Sequence, residues 1–181
     1  ILEDVLDLIG LERMYAEPAT GPLACLHLSE IAARMGRWLQ AMCHPDGEIS
    51  YFNDAAFGIA PPPRQLFEYA RARGLSFELE KTEKTLLPSS GYAALAVGPF
   101  HILFDGGRFG PDYIPGHAHA DTLSFELSVG AERLISNSGT STYVWGPDRQ
   151  RERSTAAHST VTIDNQNSAE VWASFRVGRR P

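Results

Sequence analysis

Near Leu75 the hydrophobic pattern of the chain changes its period, and that change limits the folds open to it. Before this point apolar residues recur every three or four positions. Leu2, Val5, Leu6 and Ile9 do so, and Leu28, Ile31, Ala32, Met35, Leu39 and Met42 place a long amphipathic helix over Ala24 to Met42. His44-Pro45-Asp46-Gly47 ends that helix. Pro61-Pro62-Pro63 opens another over Arg64 to Arg73, with Gly74 as its stop. Beyond Leu75, β-branched and aromatic residues alternate with polar ones between Gly, Pro, Asn and Asp, which predicts strands over Tyr92–Val97, Phe100–Asp105, Leu123–Val129, Arg133–Ser136 and Val161–Asp164. No helical pattern separates these strands, so a Rossmann or TIM arrangement is disfavoured. The expectation is an α+β fold, with residues 1–80 a helical segment and residues 81–181 an antiparallel sheet domain.

The 181 residues are 43% hydrophobic and 21% charged, enough to build a core and too apolar for a disordered tract. A net charge of −6 and the lack of a lysine- or arginine-rich block argue against nucleic acid as a partner. Arg149, Arg151 and Arg153 around Glu152 form the densest basic stretch, either a solvated loop or a surface for an acidic substrate. Because Ile1 already stands in a helical pattern, the chain reads as a fragment, and the absence of a leader says nothing about compartment. No stretch of about 20 apolar residues is present to span a membrane. Cys25 and Cys43, placed in one helix, would stand roughly 27 Å apart, too far for a disulfide.

Gly116-His117-Ala118-His119-Ala120-Asp121 runs directly into Leu123 to Val129. If one strand spans it, its two-residue period puts His117, His119 and Asp121 on the face of Leu123, Phe125, Leu127 and Val129, pointing inward. Imidazoles two apart on that face, roughly 7 Å between Cβ atoms, can reach one ion or one substrate, or brace the core edge through hydrogen bonds. His158 could add a third nitrogen, and Asn137 or Asp121 an oxygen, toward the four ligands zinc prefers. His158 shares parity with Thr160 and Thr162 rather than with Val161 and Ile163, so it can join only if the chain bends after it.

Tyr143 and Trp145 could stack on a sugar ring or seal the edge of the core. Gly106, Gly107 and Gly110 lack the lysine and following helix of a phosphate loop, and Ser138, Ser154 and Ser159 lack a nucleophile elbow.

Four ordered stretches carry a family resemblance: Gly116 to Glu126, Arg133 to Thr140, Arg153 to Val161, and Glu170 to Arg180, with a weaker one over His44 to Asp54. Together they resemble the heparinase II/III and oligoalginate lyase superfamily. The resemblance implies the end of an (α/α) toroid followed by a truncated antiparallel β-sandwich. It implies a periplasmic or secreted polysaccharide lyase, which cleaves a uronate-containing chain by β-elimination. By the same resemblance His117 is the active-site histidine, Tyr143 a substrate-contacting tyrosine, and His119, Asn137 and His158 the ligands of a zinc ion; from the basic stretch, Arg153 is taken as the substrate-binding residue. Many relatives have aspartate where Asn137 stands, and a neutral amide is the poorer zinc ligand. The family's catalytic tyrosine and a further histidine come from the toroid upstream, so the fragment alone is expected to be inactive. Two other classes remain: a cupin-like metal enzyme, for which Glu126 is the one candidate carboxylate, and a non-catalytic carbohydrate-binding sandwich.

Overall fold

The computed structural model describes residues 1–15, 27–77 and 82–181. Three helices come first: α1 (Leu2–Tyr15), α2 (Leu28–Ala41) and α3 (Pro63–Ala72). The spacing rule holds in each. Leu2, Leu6 and Ile9 of α1 are buried against Leu28 and Ala32 of α2, Ala70 of α3, and Phe77. Gly36 is required there, since a Cβ on it would lie 2.3 Å from the Phe77 ring. Pro63 opens α3 at its first turn, and Gly74 takes φ +69 just past its end. The expected start of the long helix at Ala24, and with it Cys25, lies outside the described residues. Cys43 follows α2 rather than sitting in it, with burial pushing its thiol up to about 12.

The strands β1 (Lys84–Leu87), β2 (Tyr92–Val97), β3 (Phe100–Asp105), β4 (Phe125–Val129) and β5 (Glu132–Ile135) form an antiparallel meander in chain order. A short helix α4 (Pro147–Glu152) follows, then a small hairpin of β6 (Val171–Trp172) and β7 (Arg176–Val177). The chain is therefore α+β, as the change of period requires. β2 and β3 fall where the alternation puts them. Val161–Asp164 does not form a strand and makes only the isolated bridge Ile163↔Gln166. β1, α4 and the β6–β7 hairpin are too short to leave a periodic signal.

The strand expected through the histidines is not there either. Pro115–His117 is a single 3-10 turn, His119 to Asp121 is irregular, and Leu123 adopts φ +63, which breaks the extended run before β4. The inward face of β4 is also the opposite of the expected one. Ser124, Glu126 and Ser128 are fully buried, while Phe125, Leu127 and Val129 are half-exposed. Cross-strand register groups Leu95, Ile102 and Leu127, and beside them Ala93, Phe104 and Phe125, on that half-exposed apolar face.

The polar face can be buried because the chain after α2 lies across it. The bridge Cys43↔Ile49 closes a tight turn, and Met42 and Phe52 pack on Ala94 and Leu103 of the sheet. His44 Nε2 lies 2.6 Å from Glu126 Oε2, and its Nδ1 lies 2.7 Å from Ser128 Oγ. The other Glu126 oxygen accepts the Tyr51 and Asn137 N–H groups. Arg133 of β5 clamps the turn from outside through Asp46 and the Ile49 carbonyl. A buried carboxylate with every partner in place is tolerable, and one that loses a partner is not. Replacing Glu126 with Ala strands three donors at once, and urea denaturation should show a loss of about 3–5 kcal/mol. A change below about 1 kcal/mol would mean that the pair behaves like an exposed one.

Candidate functional site

The turn that begins at His44 ends at Asn53 and Asp54, and this is how the site is made. Asn53 adopts φ +54, a conformation Asn tolerates better than most residues, and its side-chain oxygen accepts the His119 N–H. Thr140 N donates to the Ala55 carbonyl, so the loop after β5 is stitched to the same segment. Gly139 permits that approach at φ +62, because a Cβ there would come within 2.5 Å of both Ala55 O and the Tyr51 ring.

Asp54 sits where these segments meet. Its Oδ2 is 2.7 Å from His117 Nδ1, and its Oδ1 is 2.7 Å from His119 Nε2. A carboxylate only accepts, so the protons lie on those two ring nitrogens. Thr140 Oγ1 and both terminal nitrogens of Arg149 donate to it as well. Burial alone would raise the Asp54 carboxyl; the hydrogen bonds from His119, Arg149, His117 and Thr140 outweigh it and hold the group far below the usual carboxylate range. Arg149 belongs to α4 and is fully buried. It also donates to the Ser174 carbonyl and to Thr140 Oγ1, and its guanidinium lies 5.1 Å from the Tyr143 ring centre and 5.5 Å from that of Phe175.

The two histidines do converge, but on an aspartate. His119 is wholly buried, whereas the His117 side chain is 61% exposed. With Nδ1 committed to Asp54, Nε2 is the nitrogen His117 has left to offer. Its ring lies 5.8 Å from Tyr143 and 5.4 Å from Phe175. It also borders a cleft of about 750 Å³ shared with Asn53, Tyr92, Asp105, Arg108 and Asp121. Tyr143 stands beside His117, with burial raising its phenol.

Arg153 does not face a ligand. It is fully buried, and its guanidinium donates to the carbonyls of Ala118, Trp172, Ala173 and Arg176. Those bonds tie the histidine segment to the β6–β7 hairpin, so the residue is structural. Trp145 is exposed. Glu126 is consumed by His44, Tyr51 and Asn137, which removes the carboxylate a cupin-like centre would need. Asp121 is buried with one oxygen lacking a partner, and burial and the neighbouring Asp105 push it up to about 7.

His158 does reach His119, the two ring centres lying 5.3 Å apart, and the chain bends after it as that requires, the Thr160 N–H donating to the His158 carbonyl. Asn137 is beside them, its Oδ1 3.3 Å from His158 Nδ1. Burial pushes His158 down to about 4 and lowers His119, so both rings are neutral near pH 7. His119 Nδ1 and His158 Nε2 are buried without partners and would suit a metal. The third member of the expected zinc set does not: Asn137 Oδ1 already serves His158 and the Ser159 N–H, and only its NH₂ is free. Among the described residues no group of three or more His, Cys, Asp or Glu is arranged to hold a metal ion.

Asp54 and Arg149 are the site residues that sequence reasoning missed. Asp54 had a signal, since it closes the His44–Asp54 stretch; Arg149 had only the basic run around Glu152.

A helical segment laid on an antiparallel meander, with a carboxylate gripping an exposed histidine, defines the class, and comparison names the family. The sequence profile of the heparinase II/III-like C-terminal domain matches residues 79–181, and the chain belongs to that family. Solved structures agree in fold. A heparinase III gene product superposes with TM-score 0.68 at 18% identity, covering 94% of this chain and 30% of that one. A second heparinase III gives 0.64 at 16% identity, covering 92% and 31%, and a heparan sulfate lyase from Pedobacter heparinus gives 0.64 at 18%, covering 92% and 28%. This chain thus spans about three-tenths of the length of those proteins. No curated protein sequence matches it significantly. Among the described residues no helix is long and apolar enough to cross a membrane.

The buried titratable groups give a pH test. His158, depressed from 6.5 to about 4, binds more protons unfolded than folded in that window, so it makes stability rise with pH there. Asp121, raised from 3.8 to about 7, binds more protons when folded and makes stability fall with rising pH. Urea melts between these limits should therefore show the stability of Asp121→Asn rising more steeply with pH than wild type. His158→Gln should rise less steeply. Parallel profiles for all three proteins would mean that neither group titrates as its burial requires.

Proposed function

We propose that this chain is part of a polysaccharide lyase that cleaves a uronate-containing polysaccharide by β-elimination, with His117 moving the proton. The observation that carries the reading is the Asp54–His117 contact at the edge of an open cleft, in a chain of this family. The carbon beside a uronate carboxylate is a weak acid, so the reaction needs a base for its proton and an acid for the leaving oxygen. His117 Nε2 takes the carbon-bound proton, the C–H electrons form the double bond, and the glycosidic C–O bond breaks. Tyr143, kept protonated by its raised phenol, supplies the proton to the departing oxygen. The Asp54 carboxylate keeps His117 in the tautomer whose Nε2 can accept, then stabilises the imidazolium that forms.

The named activities of the structural neighbours make heparan sulfate the first substrate to try, with alginate for comparison. Ultraviolet absorbance of the unsaturated uronate product reads turnover in the protein that carries this chain. His117→Ala should lower kcat by about 10²–10⁴-fold. Asp54→Asn, which leaves the ring present but loosely held, should lower it on the order of 10²-fold with little change in KM. Full turnover by a folded His117→Ala variant would remove His117 from the reaction. The exposed rings of Tyr143 and Phe175 beside His117 favour a second reading, a saccharide-binding surface, which saturable binding without any unsaturated product would support.

A further inference from the structure

The cleft beside His117 carries a cation that the proposed reaction leaves unused. Arg108 lies in the glycine-rich stretch after β3, is exposed, and lines the same cleft as His117. Among the described residues no other arginine or lysine lines it. The backbone that bears Arg108 is fastened to the turn between β1 and β2. The Gly106 N–H donates to the Gly91 carbonyl at 3.1 Å, the Gly107 N–H to Asp105 Oδ1 at 2.9 Å, and a Cβ on Gly107 would come within 2.5 Å of the Ser90 carbonyl. The head of the side chain is free by contrast. Arg133, Arg149 and Arg180 each pair with a carboxylate and Arg153 with carbonyls, whereas the Arg108 guanidinium makes no hydrogen bond or ion pair with any described residue. The carboxylates lining the cleft do not claim it. Asp112 pairs with Arg180 at 2.6 Å, Asp105 accepts the Gly107 N–H, and burial favours the uncharged acid at both Asp105 and Asp121.

We propose that Arg108 is a substrate-binding residue, whose guanidinium pairs with an acidic group, carboxylate or sulfate, of the polysaccharide lying in the His117 cleft. The inference rests on the reading of this chain as part of a lyase for an acidic polysaccharide. A guanidinium presents parallel N–H groups that match two oxygens of either group. Because no protein partner has to be given up, binding costs this side chain only its hydration and its own freedom of movement. Arg108 thus takes the part expected of Arg153, which is spent on backbone carbonyls.

The test measures turnover of heparan sulfate, its unsulfated backbone and alginate by the protein that carries this chain, as wild type, Arg108→Gln and Arg108→Lys, over a range of salt. Arg108→Gln should raise KM about 10-fold with a much smaller change in kcat, and Arg108→Lys should recover part of the loss. Wild-type KM should climb with salt more steeply than that of Arg108→Gln, a difference that a merely structural role would not produce. An equal loss on the sulfated and unsulfated chains assigns the contact to the uronate carboxylate, and a loss confined to heparan sulfate assigns it to a sulfate. An active wild type whose KM and salt dependence are unchanged in Arg108→Gln would overturn this inference alone. No turnover of any of the three by wild type would remove the lyase reading and this inference with it.

Discussion

The site depends on one buried carboxylate. Asp54 takes hydrogen bonds from two histidines, an arginine and a threonine that arrive on two loops and the helix α4. An anion in that position would be costly alone, and each of its partners would be a buried donor without it. The carboxylate and its partners are therefore stable only as a set, and forming the set fixes the paths of the chain around Asn53, His117 and Thr140.

Asp54 reaches this place because the preceding segment is itself anchored to the sheet. Met42 and Phe52 supply apolar contact, while His44 and the Tyr51 N–H satisfy Glu126 on the face of β4. Glu126 also holds the Asn137 N–H, so one buried side chain positions both the segment that carries Asp54 and the one that carries Asn137. Arg153 does similar work from the other side, fastening the histidine segment to the β6–β7 hairpin through four carbonyls. In this protein buried polar groups determine where the functional side chains point, and the hydrophobic clusters supply the surfaces they lie on.

That division explains what could be read from sequence. The α+β class, the bodies of α2 and α3, and the strands β2 and β3 follow from periodicity, because their burial is apolar and regular. The face of β4 did not, since the period-two rule assumes that the apolar side is the covered one. Here Glu126 and Ser128 are covered by polar groups from 75 or more residues upstream. The strand through His117 and His119 failed for a related reason: a proline-initiated turn and a positive φ at Leu123 interrupt it, and a residue other than Gly gives little warning of either. The nearness of His119, Asn137 and His158 was foreseeable by resemblance, whereas the orientation of the Asn137 amide required the Ser159 contact. Arg153 shows the opposite error, a charged residue taken for a binding group because burial by backbone carbonyls leaves no trace in sequence.

Asp54 holds His117 with its proton on Nδ1 and its free electron pair on Nε2. Long-range ¹H–¹⁵N correlation of the imidazoles, assigned by comparison with His117→Ala, reads that state directly. The neutral His117 ring should show a single tautomer, protonated on Nδ1 and lost as a fixed state in Asp54→Asn. A neutral His117 ring protonated on Nε2, or one exchanging between tautomers in the wild-type protein, would contradict it.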